Sequence, residues 1–139
     1  MSDLPPNDEQ NDGIIDERER PFLKEEKVIA QYLVQHGARL IKARKEQGKG
    51  RQPDAEVDGV VTEFKLLKPG YGRKTVTNKV NESLRKQGQA RYIIVDARGS
   101  GLTVAEAQYS LARVAGITRG KLDTLRILGD GFDVSRVYG

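Results

Sequence analysis

The fold of this chain is decided by one stretch, Pro53-Asp54-Ala55-Glu56-Val57-Asp58-Gly59-Val60-Val61-Thr62-Glu63-Phe64-Lys65. Asp58-Gly59 between two alternating apolar runs predicts a two-residue β-hairpin, because a type I′ turn needs positive φ at both central positions. This turn places Asp54 opposite Glu63. Side chains alternate across a strand, so one face is predicted to carry Asp54, Glu56, Val61, Glu63 and Lys65. The other face is predicted to be the buried one and carries Ala55, Val57, Val60, Thr62, Phe64 and Leu66.

The facing carboxylates of this hairpin indicate a metal site. Directly opposed side chains lie about 4.5–5.5 Å apart at Cβ, and like charges there are destabilising. A divalent cation between Asp54 and Glu63 removes the repulsion, and carboxylate oxygens suit Mg²⁺ or Mn²⁺, with Zn²⁺ as an alternative. Lys65 points into the same space, where its ammonium would hold an attacking water or the charge developing on a phosphate. A solvated polar face on an edge hairpin is the simpler interpretation, and it stays open at this point.

Composition narrows the class of protein. The chain has 139 residues, no cysteine and one histidine, His36. One domain of modest size fits that length, and disulfide scaffolds, thiol catalysis and Cys/His zinc sites are excluded. Charged residues make up 32% of the chain and the mean hydropathy is −0.61. We find no apolar run of membrane-spanning length and no signal peptide, so no membrane partner is expected.

Charge is distributed unevenly along the chain. Residues 1–22 hold seven acidic residues and two arginines, whereas residues 23–139 hold 22 Lys/Arg and 13 Asp/Glu. We therefore expect a disordered acidic lead-in or linker over 1–22 and one folded domain over 23–139. A basic domain favours a polyanionic partner such as nucleic acid. The cations predicted to bind it are Lys45, Lys49 and Arg51 in the loop before the hairpin, and Arg73, Lys74, Lys79 and Arg85 after it.

The hydrophobic pattern predicts an α/β domain. A helix is expected from Phe22 to Gly37, a strand over 38–41, the hairpin, a helix from Thr75 and a buried strand over 91–96. Thr103 and Glu106 form a capping box that opens a further helix, and residues 122–137 read as a terminal hairpin. The order from residue 23 to residue 96 is thus helix, strand, strand, strand, helix, strand.

This order and the hairpin motif resemble the PD-(D/E)XK nucleases, which have a restriction-endonuclease-like fold. The match covers Pro53, Asp54, Glu63 and Lys65. It implies an αβββαβ core with a mixed central sheet, here followed by a C-terminal helix and a β-hairpin, and a metal held by Asp54 and Glu63. A first-helix glutamate often joins such sites, so the resemblance also makes Glu26 a catalytic candidate. Negative charge in the first helical turn is the other explanation for Glu26.

The chain also resembles the C-terminal tRNase toxin domains of contact-dependent growth inhibition (CdiA) proteins. The resemblance rests on Arg51-Gln52-Pro53-Asp54-Ala55, on Thr62-Glu63-Phe64-Lys65, and on Lys86-Gln87-Gly88-Gln89-Ala90 leading into Ile93-Ile94-Val95-Asp96. It implies an endoribonuclease aimed at tRNA, a cognate immunity protein that blocks it, and action in the bacterial cytoplasm after delivery as the C-terminal part of a larger protein.

Three alternatives stay open. A metal-dependent DNase would have the same fold and a different substrate. A barnase- or EndoU-like RNase would need no metal. A basic nucleic-acid-binding module would have no catalytic activity.

Overall fold

The computed structural model describes residues 13–45, 55–70, 73–85, 91–118 and 120–138. Within these residues, seven strands form one mixed sheet whose spatial order is the chain order. The strands are β1 Ile14–Asp16, β2 Leu40–Ala43, β3 Ala55–Val57, β4 Val60–Leu66, β5 Tyr92–Asp96, β6 Thr124–Gly129 and β7 Phe132–Val137. The helices are α1 Lys24–Gln35, α2 Arg73–Arg85 and α3 Val104–Thr118. Helices and strands therefore follow the predicted α/β order, with the C-terminal helix and hairpin in place.

The predicted hairpin is confirmed together with its register. Val57 pairs with Val60 and Ala55 with Thr62, and the turn residues Asp58 and Gly59 have φ of +50° and +84°. Positive φ at both positions is the type I′ requirement that made Asp-Gly informative. The pairing of residue 54 with Glu63 lies outside the described residues.

The expected boundary at residue 22 is wrong for the part of the lead-in that is described. Residues Ile14–Asp16 form β1, which pairs in parallel with β2. Ile15 packs against the apolar cluster under α1. Residues 1–12 lie outside the described residues. The correction has a simple cause: an apolar pair too short to fold alone is stabilised by a preformed sheet edge.

Helices cover both faces of the sheet. On one face α1 packs through Ile29, Ala30 and Leu33 against a cluster that includes Phe64 and Ile94. On the other face the buried side chains of α2 and α3 form a cluster with those of β5, β6 and Leu67, which follows β4. That cluster includes Val76, Val80, Leu111, Ile93, Val95, Leu125 and Ile127. In the described part of the chain, no helix is long and apolar enough to cross a membrane.

The prediction that only one face of the hairpin is buried is therefore wrong for β4. Thr62 and Phe64 are buried as expected, but Glu63 and Lys65 on the opposite face are buried as well. Val60 and Leu66, which were expected inside, are exposed at the two ends of the strand. The position of the helices, rather than strand alternation alone, decides the burial.

Candidate active site

The centre of the candidate site is an ion pair on β4. The Lys65 Nζ lies 2.8 Å from the Glu63 Oε2. Glu63 is 3% exposed and Lys65 is 9% exposed. Residues two apart on a strand point to the same side, so the pair shares the face of the sheet on which α2 and α3 pack. A carboxylate and an ammonium held together in a largely dry site are suited to metal or proton chemistry and to stabilising a developing anion.

The hairpin turn ties this pair to the neighbouring strand. The Asp58 carboxylate accepts hydrogen bonds from the backbone N–H groups of Arg39 and Leu40, both at 2.8 Å. Asp58 thus serves as a turn residue with positive φ and as an anchor for the start of β2. The register of β2, β3 and β4 brings further charged residues onto the face of the sheet that carries the pair.

Those further charges form a row across β1, β2 and β3 on the face that carries Glu63. Asp16 is level with Lys42, Lys42 is level with Glu56, and Glu56 is level with Val61 on β4. The predicted sharing of one face by Glu56, Val61, Glu63 and Lys65 is confirmed by this register. Lys42 is not among the site residues predicted from the sequence. It alternates with the apolar residues Ile41 and Ala43, but that pattern does not show which strand pairs with it.

Each charge in this row has an opposite charge nearby. The Lys42 Nζ lies 2.5 Å from the Glu19 Oε2, and the Arg44 Nε lies 3.9 Å from the Glu56 Oε2. The hydrogen bond from Lys42 lowers the pKa of Glu19, and Glu19 in turn raises the pKa of Lys42. Hydrogen bonds from Arg18 hold the pKa of Asp16 at about 2. Asp16, Glu19 and Lys42 are therefore ionised at neutral pH.

Glu26 has a different environment. Its Oε1 accepts hydrogen bonds from the backbone N–H of Leu23 at 2.8 Å and from Arg20 at 2.9 Å. The first contact is a helix N-terminal cap from the third helical residue. α1 packs on the Phe64 face, opposite to the face of Glu63 and Lys65. The described contacts therefore do not bring Glu26 into the ion pair, and its catalytic role stays a prediction.

The predicted substrate-binding cations divide into three groups. Lys45 is exposed directly after β2, and Lys79 is half-buried on α2, whose Val76 and Val80 pack on the Glu63 face. The backbone positions of Arg73, Lys74 and Arg85 lie on α2, but their side chains are outside the described part. Lys49, Arg51 and the predicted metal ligand Asp54 lie outside the described residues altogether.

Glu63 is the described member of the predicted metal site. Glu63 supplies a carboxylate of the hard-oxygen type that Mg²⁺ and Mn²⁺ prefer, and its partner in the predicted metal site, Asp54, is not described. Within residues 13–45, 55–70, 73–85, 91–118 and 120–138, no three His, Cys, Asp or Glu side chains are grouped to hold a metal ion. The metal therefore stays a prediction that depends on Asp54.

Comparisons with known proteins identify the family. A family model described as the contact-dependent growth inhibition CdiA C-terminal domain matches residues 51–133, which is more than half of the chain. The fold is similar to that of a chain in the solved CdiA-CT/CdiI toxin and immunity complex from Burkholderia pseudomallei. That similarity has a TM-score of 0.61 and 14% identity, and covers 88% of this chain and 98% of that chain. No curated protein matches. The matched family model spans the β3–β4 hairpin, the Glu63–Lys65 pair and both helices that pack beside it, and the chain belongs to the CdiA C-terminal domain family of contact-dependent growth inhibition toxins.

Proposed function

We propose that this toxin domain is a metal-dependent endoribonuclease that cleaves tRNA. The observation that carries the proposal is the buried Glu63–Lys65 pair on the strand that follows the Asp-Gly turn. A buried ion pair is costly to desolvate and contributes little to stability compared with apolar residues of similar size. Its presence where the sheet face turns from apolar to charged is therefore better explained by chemistry than by folding.

Different residues would have different roles in phosphodiester cleavage. Glu63, with Asp54 from the preceding strand, would hold Mg²⁺ or Mn²⁺, with Zn²⁺ as an alternative. When bound, the metal would polarise a phosphoryl oxygen and lower the pKa of a coordinated water. Lys65 would orient that water and hold the negative charge that develops on the phosphate. The nearby α2 and α3 restrict access of bulk water to this pair, which strengthens both interactions.

Substrate binding is proposed for the cations around this pair. Lys45 is exposed after β2, Lys79 lies on α2, and Lys49, Arg51, Arg73, Lys74 and Arg85 add to the basic character of the domain. Phosphate contacts from such residues give affinity that falls with salt and does not depend on base sequence. The preference for tRNA over DNA is proposed from the resemblance to the tRNase toxin domains of CdiA proteins.

A cognate immunity protein is the second proposed partner. The similar solved structure is a complex of a toxin with its immunity protein. By the same logic, this domain would be delivered as part of a larger protein, act on RNA in the bacterial cytoplasm and be neutralised in the producing cell.

The proposal is tested by incubating the purified domain with total tRNA and with plasmid DNA, each with Mg²⁺, Mn²⁺, Zn²⁺ or EDTA. We expect metal-dependent cleavage of tRNA. Glu63→Gln and Lys65→Met should each lower the cleavage rate at least about a hundredfold, since each removes a group that interacts with the reacting phosphate. Glu56→Gln is the matched control, because it changes the same charge on the same face without touching the pair, and it should leave the rate near that of the unmodified domain.

Each other result has a defined meaning. Cleavage in excess EDTA would contradict the proposed metal dependence and favour the barnase-like alternative. Cleavage of DNA alone would contradict the RNA substrate and keep the site. A folded domain that binds but never cleaves would leave a binding module. Full activity in Lys65→Met, with folding verified by circular dichroism, would remove Lys65 from the mechanism.

A further inference from the structure

The acidic side chains of residues 16–19, at the end of β1 and directly after it, contact separate partners. Asp16 is held by Arg18 within the segment. Glu17 pairs with Lys27 on α1 and accepts the backbone N–H of Phe22. The remaining acid of this run, Glu19, reaches in the other direction, toward the end of β2. The segment therefore places the Glu17 carboxylate at α1 and the Glu19 carboxylate at the end of β2.

Glu19 occupies an anion-binding arrangement at the end of β2. Its Oε2 lies 2.5 Å from the Lys42 Nζ, and its Oε1 accepts the backbone N–H of Lys45 at 3.4 Å. An ammonium and a backbone N–H that converge on one anionic group are also the contacts that proteins make to phosphates of nucleic acids. The Glu19 and Lys42 side chains are each about one third exposed, so a competing anion can reach this site from solvent.

The position of Lys42 relative to the Glu63–Lys65 pair connects this anion-binding arrangement with the candidate active site. Lys42 is on the same face as Glu63 and is level with Val61, two residues before Glu63 on β4. Two strand spacings separate β2 from β4, which corresponds to about 10 Å. A polyanion whose scissile phosphate lies at Glu63 and Lys65 would therefore pass Lys42 within a short length of its backbone.

We propose that the Lys42 ammonium and the Lys45 backbone N–H form a binding subsite for a backbone phosphate of the nucleic-acid substrate, and that Glu19 occupies this subsite in the free domain. The inference rests on the proposed function and deepens it by adding a phosphate contact and its internal competitor. Exposed ion pairs contribute little to stability, so displacing Glu19 costs little. A phosphate that replaces it gains from counterion release.

The test measures binding rather than cleavage. Fluorescently labelled tRNA is titrated with the domain in EDTA over a range of salt concentrations. Glu19→Gln should tighten binding roughly two- to fivefold, the range expected from removing one exposed competing ion pair. It should also steepen the dependence of log affinity on log salt by about 0.7–0.9, the value for one additional phosphate contact. Adding Lys42→Gln to Glu19→Gln should remove both gains.

Two variants control for net charge. Glu17→Gln removes the same charge from the same segment but releases Lys27 on α1, and Glu25→Gln removes an exposed charge from the first turn of α1. Both should leave the salt dependence unchanged. Thermal unfolding of every variant establishes that it is folded, and Glu25→Gln provides the charge control if Glu17→Gln disturbs the chain before α1.

Two outcomes would overturn the inference. Equal effects of Glu19→Gln and a charge control would mean that only net charge matters. A gain in affinity that persists when Lys42→Gln is added to Glu19→Gln would mean that Lys42 is not the phosphate contact. Failure of the proposed function would look different, because the unmodified domain would then cleave no nucleic acid while the binding differences among the variants persist.

Discussion

The sheet face that carries Glu63 has two halves with opposite character. Over β5 and β6 it is apolar and dry, with Val95, Leu125 and Ile127 fully buried under α2 and α3. Over β1 and β2 the same face carries the row that contains Lys42, and Leu40 beside it is 41% exposed. The Glu63–Lys65 pair lies on β4, at the border between these halves.

The difference shows how one face of a sheet can serve both stability and chemistry. The covered half supplies the burial of apolar surface that stabilises the fold. The open half carries ionised groups that are partly exposed to solvent. A pair at the border is dry enough for strong electrostatic interactions and still close to the open half, through which a substrate would approach. Three predictions test this division, beginning with the border.

The largest expected effect on stability is at the border itself. Lys65→Met should lower the free energy of unfolding by about 3–5 kcal/mol, because it leaves the buried Glu63 carboxylate without its ammonium. The double variant Glu63→Met/Lys65→Met should recover at least half of that loss, since both charges are then gone. Urea denaturation measures both values. A double variant as unstable as Lys65→Met would show that the pair is not the coupled unit.

The next effect compares the two halves directly. Ile127→Ala on the covered half should lower the free energy of unfolding by about 2–5 kcal/mol, because it opens a cavity under α3. Leu40→Ala on the open half should cost less than about 1 kcal/mol, because a half-exposed side chain loses little burial. The same urea experiment decides the point. Similar costs for both variants would mean that the open half is covered in solution.

The smallest effect is the acid response of the open half. Arg18 holds the pKa of Asp16 at about 2, below its ordinary value of 3.8. A carboxyl with a lowered pKa in the folded state contributes stability that is present above about pH 4 and is lost as the pH falls toward 2. Asp16→Asn should flatten the loss of stability in that window.

The control for the acid response is Ile127→Ala, which should shift stability by a similar amount at every pH. Denaturation midpoints from pH 2 to pH 6 give the comparison. An unchanged slope in Asp16→Asn would place the acid sensitivity elsewhere.

The parts of the fold that could be predicted are those with strong local signals. Asp58-Gly59 specified the turn and the register of β3 against β4, because few other residues tolerate positive φ at both positions. Hydrophobic periodicity specified α1 and the order of elements around it. Glu63 and Lys65 followed from that register, because alternation along one strand is a local property.

The structural environment of residues outside such signals could not be predicted from the sequence. The apolar run of Ile14 and Ile15 is too short to predict a strand, and only its pairing with β2 shows that it forms one. Glu26 offered a first-turn charge and a catalytic role as explanations, and its contacts are those of a cap and an ion pair. The ion pair of Glu19 with Lys42 joins residues that are distant in sequence and close only after folding.

By itself, the sequence determined the hairpin, its register and the presence of a carboxylate and a lysine on one face of β4, because turn chemistry and strand alternation act over a few residues. Only the tertiary structure decided that this polar face is buried at Glu63 and Lys65 and open at Lys42. Burial depends on where α2 and α3 pack on the sheet, and helix packing is determined by apolar contacts between residues far apart in the chain.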